Sequence, residues 1–340
     1  MRTGLLTLAL MLLPLGATAA DGEDLFTGEA AVENQGPAAR SAAFPLALRN
    51  VLQKVTGLRG FSDYPSVEPA LENAASQVLS FYYRKDEKRR PDGTQGEQLM
   101  LVAEFSEAAV LDLVRTAQLP FWQTRRKPVE AWVVVDDSLQ RQIMPVEYED
   151  VWRTLEQEAA SRGLELNWPR ADEDGMYPVD VQLLWGGYTE DLGGRDGHGV
   201  MIAAARREGP AWSVRVNLAY GGDHWVWRSK GVALQSLLGE SVQQAVDHIA
   251  AANAIAATDL GIWSQDLRVT GLRKREDYLR CLNYLEGLDI VNAAAPVSAR
   301  PGSVLFRLEL SALPRYLEEA IESGRTLEFV EAENAYVLRP

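Results

Sequence analysis

Cysteine and histidine are scarce in this 340-residue chain: one thiol, Cys281, and three imidazoles, His198, His224 and His248. A lone thiol forms no internal disulfide and builds no multi-cysteine zinc site. Its setting, Leu279-Arg280-Cys281-Leu282 with Leu285 following, places it on the apolar face of a helix, as a core thiol rather than a nucleophile. The three histidines are scattered at spacings that make no ligand set, so neither a metal nor a cofactor is expected. No Gly-x-Ser-x-Gly elbow, Walker A pattern or strand–GxGxxG–helix unit occurs. Positive charge is in deficit, with Lys+Arg 34 against Asp+Glu 48 and a net charge of −14. A field of that sign repels phosphate backbones and anionic lipid heads, which sets nucleic acid and membrane surfaces aside as partners. After the first residues there is no apolar run of about 18 residues, so no membrane span is expected.

What is present begins with an export pattern. Met1-Arg2 is a short positive start, Leu5 to Leu15 is apolar apart from Thr7 and Pro14, and Gly16-Ala17-Thr18-Ala19-Ala20 supplies small residues for cleavage. These are the three parts of a signal peptide in order. Residues 1–20 are therefore expected to be removed and the mature protein to be periplasmic. With no cysteine at the junction, it is not expected to be a lipoprotein.

The remaining pattern predicts α/β and α+β structure in three packed modules. The first, 21–128, reads β-α-β-β-α. It has a strand at Leu25–Val32 and a helix carrying Phe44, Ala47, Leu48, Val51, Leu52 and Val55 at helical spacing, stopped by Gly57. Pro45 implies a helix that begins near Ala43 or is kinked there. A short helix is expected between Val67 and Gln77. Strands follow at Val78–Tyr83 and Leu99–Phe105 about a charged tip, then a helix from Glu107 capped by Ser106.

The second module, 129–263, is a mixed-sheet α/β unit. Val129–Val135 is a buried central strand, and Tyr148, Val151, Trp152, Leu155 and Ala159 share a helix face. Further strands are expected at Leu164–Trp168, Val179–Trp185, Val200–Arg206, Trp212–Leu218 and His224–Arg228, with Gly221-Gly222 as a hairpin turn, then a helix from Leu234 to about Ala257. The third module, 264–340, runs strand, helix, two strands, helix and a final hairpin. That is the ferredoxin-like βαββαβ plan, with one sheet face left free.

Three places are candidates for chemistry or binding. The glycine- and carboxylate-rich stretch Gly186–Gly199 reads as a loop, with Asp191 and Asp196 as the residues that would hold a calcium ion if one bound. Asp136 follows the buried strand at the end where α/β proteins build sites. Nine tryptophans are present, and Trp225 and Trp227 share one strand face by period two. If exposed, that pair would stack on sugar or dock a protein.

Ala39-Arg40, the stretch Ala47-Leu48-Arg49-Asn50-Val51-Leu52-Gln53-Lys54-Val55-Thr56-Gly57, Leu119-Pro120-Phe121-Trp122 with Arg125-Arg126-Lys127-Pro128, and Val134-Val135-Asp136 form a further pattern. It resembles an uncharacterised exported proteobacterial family, domain of unknown function 2066. The resemblance implies export and a multi-domain α/β fold, and it carries no catalytic residues. The sequence thus points first to a non-enzymatic periplasmic factor that binds an envelope protein partner in assembly or regulation. A glycan- or peptidoglycan-binding protein is the second reading, and an enzyme of unrecognised type using Asp136 or the 186–199 loop is the third.

Overall fold

The computed structural model describes residues 25–339, apart from 90–94, 124–125, 138, 145–147, 173–175, 193–198, 289 and 325. The expected signal peptide, Asp196 and His198 lie outside the described residues. The fold is mixed α/β, built on three main sheets and one short ribbon.

The first sheet is antiparallel with order β1-β3-β2, where β1 is Thr27–Val32, β2 Val78–Arg89 and β3 Gln95–Phe105. Helix α1, Pro37–Thr56, packs on one face through Phe44, Ala47, Leu48, Val51, Leu52 and Val55. It starts earlier than the sequence suggested, because Pro37 occupies its first turn, where a missing N–H costs nothing. Pro45 is simply carried inside the helix. Gly57 ends it in the left-handed conformation (φ 66°), its N–H bonded to the Gln53 carbonyl. Helix α2, Val67–Glu72, and a 3-10 turn at Ala74–Gln77 lead into β2. Helix α3, Glu107–Thr116, is capped as expected: Ser106 Oγ accepts from the Ala109 N–H at 3.4 Å.

The chain then crosses through β4, Phe121–Trp122, which forms the ribbon with β11, Ala254–Ile255. The second sheet centres on β5, Val129–Asp136, an apolar run covered on both faces. Around it lie β6 (Arg141–Ile143), β7 (Leu166–Asn167), β8 (Gly199–Glu208), β9 (Ala211–Tyr220) and β10 (Asp223–Gly231). The order is β10-β9-β8-β5-β6, with β7 also beside β5; β8 and β7 run parallel to β5 and the other pairings are antiparallel. Gly221 and Gly222 turn the β9–β10 hairpin with φ 62° and 99°, conformations that L side chains resist. Helices α4 (Glu149–Ala160) and α6 (Leu234–Asn253) cover one face, with Leu155, Ala159, Leu238, Val242 and Ile249 buried against alternate residues of the strands.

The opposite face is covered in part by α5, Val181–Gly186, where the sequence predicts a strand over Val179–Trp185. Local capping decided the outcome. The Asp180 carboxylate accepts from the Gln182 N–H at 2.7 Å, and Gly187 (φ 82°) closes the far end. Leu184 then drops into a pocket formed by Trp132, Val134, Val200 and Ile202. The glycine- and carboxylate-rich stretch thus begins at the end of a helix, not of a strand, and its residues 193–198 lie outside the described residues.

The third sheet contains β12 (Leu260–Leu272), β13 (Val291–Arg300), β14 (Gly302–Ala312), β15 (Leu327–Val330) and β16 (Ala335–Leu338), in the order β13-β14-β12-β16-β15. Helices α7 (Arg275–Glu286) and α8 (Arg315–Ser323) pack on it. The final hairpin inserts β16 beside β12, parallel to it, and pushes β15 to the edge. Cys281 and Leu285 of α7 and Leu317 and Ile321 of α8 meet Leu267, Val269, Phe306 and Leu308. One continuous apolar core runs from the first sheet into the third through Leu119, Phe121 and Ile255.

Candidate functional site

Charge gathers on the face of the second sheet that α5 only partly covers. Alternation along each strand sends Asp136, Arg141, Arg206, Arg215 and Arg228 to this face, as the cross-strand partners show: Asp136 opposite Arg141 and Arg206, and Arg215 opposite Arg228. Asp136 is largely buried between two guanidiniums, with Arg141 Nη2 at 3.2 Å and Arg206 Nε at 3.6 Å from Oδ2. Both guanidiniums also lie over the Trp185 indole of α5, at 4.0 Å and 5.0 Å from the ring centroid. Arg141 Nη1 donates to Gln182 Oε1 at 2.8 Å.

Arg215 is half-buried and donates through Nη2 to the Trp185 carbonyl, while its Nε is buried with no acceptor. Burial, and then the neighbouring cations Arg228 and Arg206, push its pKa below the usual guanidinium value. Among the described residues no carboxylate forms an ion pair with Arg215 or Arg228. Four guanidiniums thus share this face with Asp136; the same alternation also brings Glu130, which accepts from Trp132 Nε1, and Glu208, which pairs with Lys230 at 2.8 Å, to it.

The other predicted residues fall elsewhere. Trp225 and Trp227 do share a face of β10, but it is the face turned towards α6, and both are half-buried. Their rings pack on the His248 imidazole at centroid distances of 5.5 Å and 5.2 Å, the Trp225 stack nearly parallel at 19°. Trp227 Nε1 is buried without an acceptor. Asp191 is exposed in the turn where the Leu192 N–H bonds the Thr189 carbonyl. The Trp225–Trp227 pair therefore lies on the sheet face opposite Asp136. No group of three or more His, Cys, Asp or Glu placed to hold a metal occurs among the described residues. Cys281 is fully buried, and burial pushes its thiol up to about 12.

A second polar centre escaped sequence reading altogether. Arg162, at the end of α4 with a side chain only 3% exposed, donates to the Gly57 carbonyl, to Gln243 Oε1 at 2.8 Å and to Asp247 Oδ1 at 2.6 Å. Arg59 meets the same carboxylate at 2.6 Å. Burial raises the Asp247 pKa, but the hydrogen bonds from Arg59 and Arg162 outweigh it and hold the carboxyl below its ordinary range. Beside it, Arg126 donates to the carbonyls of Lys54, Gly163 and Trp122, with its guanidinium 3.7 Å from the Trp122 ring centroid. Together these bonds lock α1 against α4 and α6. An apolar cleft of about 710 Å³ also opens between the start of α3 and β12, lined by Leu111, Phe121, Leu260 and Ile262 among others.

Residues 19–123 match the model of a family described as a domain of unknown function (DUF8605). That match overturns the resemblance to domain of unknown function 2066. The stretches that carried the resemblance do structural work: Gly57 is a helix stop, Phe121-Trp122 a ribbon strand and Arg126 a helix lock, and unrelated folds meet such needs with the same residue types. The match covers the first sheet and its helices, and stops before β5. No curated protein matches the sequence. No helix among the described residues is long and apolar enough to cross a membrane.

Proposed function

We propose that the chain is a non-enzymatic periplasmic interaction factor that recruits an extended segment of an envelope protein to the open edge of β2. The observation that carries this reading is the edge itself. β2 is a 12-residue outer strand paired only with β3, and among the described residues its outer edge makes no backbone hydrogen bond. It displays Leu79 and Tyr82 at 65% and 56% exposure, with Phe81 beside them. Long edge strands bearing apolar side chains are templates for pairing with another chain, and proteins normally guard them. Here the guarding charges, Arg84 to Arg89, are confined to the distal half of the strand.

In this reading residues 1–20 are a cleaved leader, and 21–128, 129–263 and 264–340 are three packed modules. Each holds most of one sheet with its own helices, which supports the division, with β12 starting at Leu260, ahead of the third boundary, and the β4–β11 ribbon joining the first two. The β13-β14-β12 order with α7 and α8 on one face supports a ferredoxin-like third module, extended by one inserted strand. The continuous core between the first and third sheets supports close packing.

Two measurements test the reading. Mass spectrometry of the exported protein should give a mature N-terminus at about residue 21; a retained Met1 refutes the periplasmic assignment. Envelope extracts passed over the wild type and over Leu79→Lys and Tyr82→Lys variants should show a protein held in high salt by the wild type and released by both variants. Both side chains are exposed, so the variants should melt within about 0.5 kcal/mol of the wild type. Equal retention by all three, or none by any, refutes the docking edge.

A further inference from the structure

We propose that Arg215 and Arg228, with Arg206 beside them, form a binding site for a compact dianionic phosphate group on the open face of the second sheet. The site lies away from β2 and stands independently of the interaction reading. Three observations carry it. The first is charge: the carboxylates of this face are engaged elsewhere, Asp136 with Arg141 and Arg206, Glu208 with Lys230 and Glu130 with the Trp132 indole N–H, so among the described residues the two guanidiniums facing each other across β9 and β10 form no ion pair. The second is burial. A half-buried guanidinium is poorly served by solvent, and Arg215 has only cations as its nearest charges. The third is directionality. The Trp185 carbonyl holds the Arg215 guanidinium through Nη2, so its orientation is set before any ligand arrives.

The geometry selects the ligand class. Guanidinium forks bind oxyanions through paired N–H···O bonds. A phosphomonoester carries close to two negative charges at neutral pH and three acceptor oxygens, matching two uncompensated guanidiniums and the partly shared Arg206. A single carboxylate would leave one cation unbalanced. A long polyanion would meet the repulsion of a chain at −14, whereas a compact ligand enters only the local positive field.

Calorimetric titration of the full mature chain tests the site. The probes are inorganic phosphate, phenyl phosphate and succinate, run against the wild type, Arg215→Gln, Arg228→Gln, the double variant and Arg215→Lys. Saturable binding of inorganic or phenyl phosphate is expected, and the probe that binds more tightly identifies a free phosphate or an organic phosphomonoester as the source. Each Gln variant should weaken binding roughly tenfold or more, since bonds to charged groups are the strong ones. Arg215→Lys keeps the charge but loses the fork and should fall between wild type and Arg215→Gln. Thermal melting without ligand shows whether each variant is folded, and the exposed Arg228 supplies a variant with little structural burden. The proposal is overturned if neither phosphate probe binds, if the folded Arg228→Gln variant binds as the wild type does, or if succinate binds as tightly as phosphate.

Discussion

Replacing Asp247 with asparagine removes one negative charge from the Arg162 centre while keeping shape and an acceptor oxygen. Arg162 would then remain a side chain 3% exposed whose counter-ion has gone, and Arg59 would lose one of its two carboxylates. Removing one partner of a buried ion pair costs about 3–5 kcal/mol. Asp247 is itself 41% exposed, so water recovers part of the loss. About 2–3 kcal/mol is expected, with Arg162 still tied to Gly57 and Gln243. In urea unfolding this lowers the midpoint by about 1 M at unchanged slope. Arg59→Gln is the control: its guanidinium is 42% exposed, so the cost should stay below about 1 kcal/mol.

The pH dependence follows from the depressed carboxyl. A group whose folded pKa lies below its unfolded value stabilises above the unfolded value, about 3.9 for aspartate, and loses that contribution as pH falls through the folded value. The gap between wild type and Asp247→Asn should therefore be full at neutral pH and close in acid. A variant within about 0.5 kcal/mol of wild type at neutral pH, or a gap that persists unchanged in acid, refutes the account of this centre.

Other outcomes are expected in the same framework. Gly57→Ala should cost about 2 kcal/mol or more in thermal or urea unfolding, because it puts a side chain at φ 66° and drives its Cβ into Ala250 and to 2.9 Å from the Trp122 ring. Cys281 should resist thiol reagents in the folded protein at neutral pH and react once urea unfolds it; rapid native labelling would contradict its burial and raised pKa.

Much of the fold was legible in short stretches. The apolar run of β5, the Ser106 cap, the Gly57 stop, the Gly221-Gly222 turn and the strict alternation of β9 all act within a few residues, where periodicity and backbone preference suffice. The same local reading fails at Val179–Trp185, an expected strand where the Asp180 cap and the Gly187 stop make a helix. The wet side of β9 was visible as Ser213, Arg215 and Asn217, but its meaning was not, because the other guanidiniums arrive from separate strands.

By itself, the sequence determined which segments bury an apolar side, where most helices stop, and that the chain is acidic with one thiol suited to a core. Tertiary structure alone decided that β16 lies between β12 and β15, that Arg162 meets a carbonyl 105 residues away, and that Arg206, Arg215 and Arg228 share one sheet face. Lateral strand order and long-range pairing depend on which assembled surfaces exclude water together. That free energy belongs to contacts between segments, and no single stretch of residues contains it.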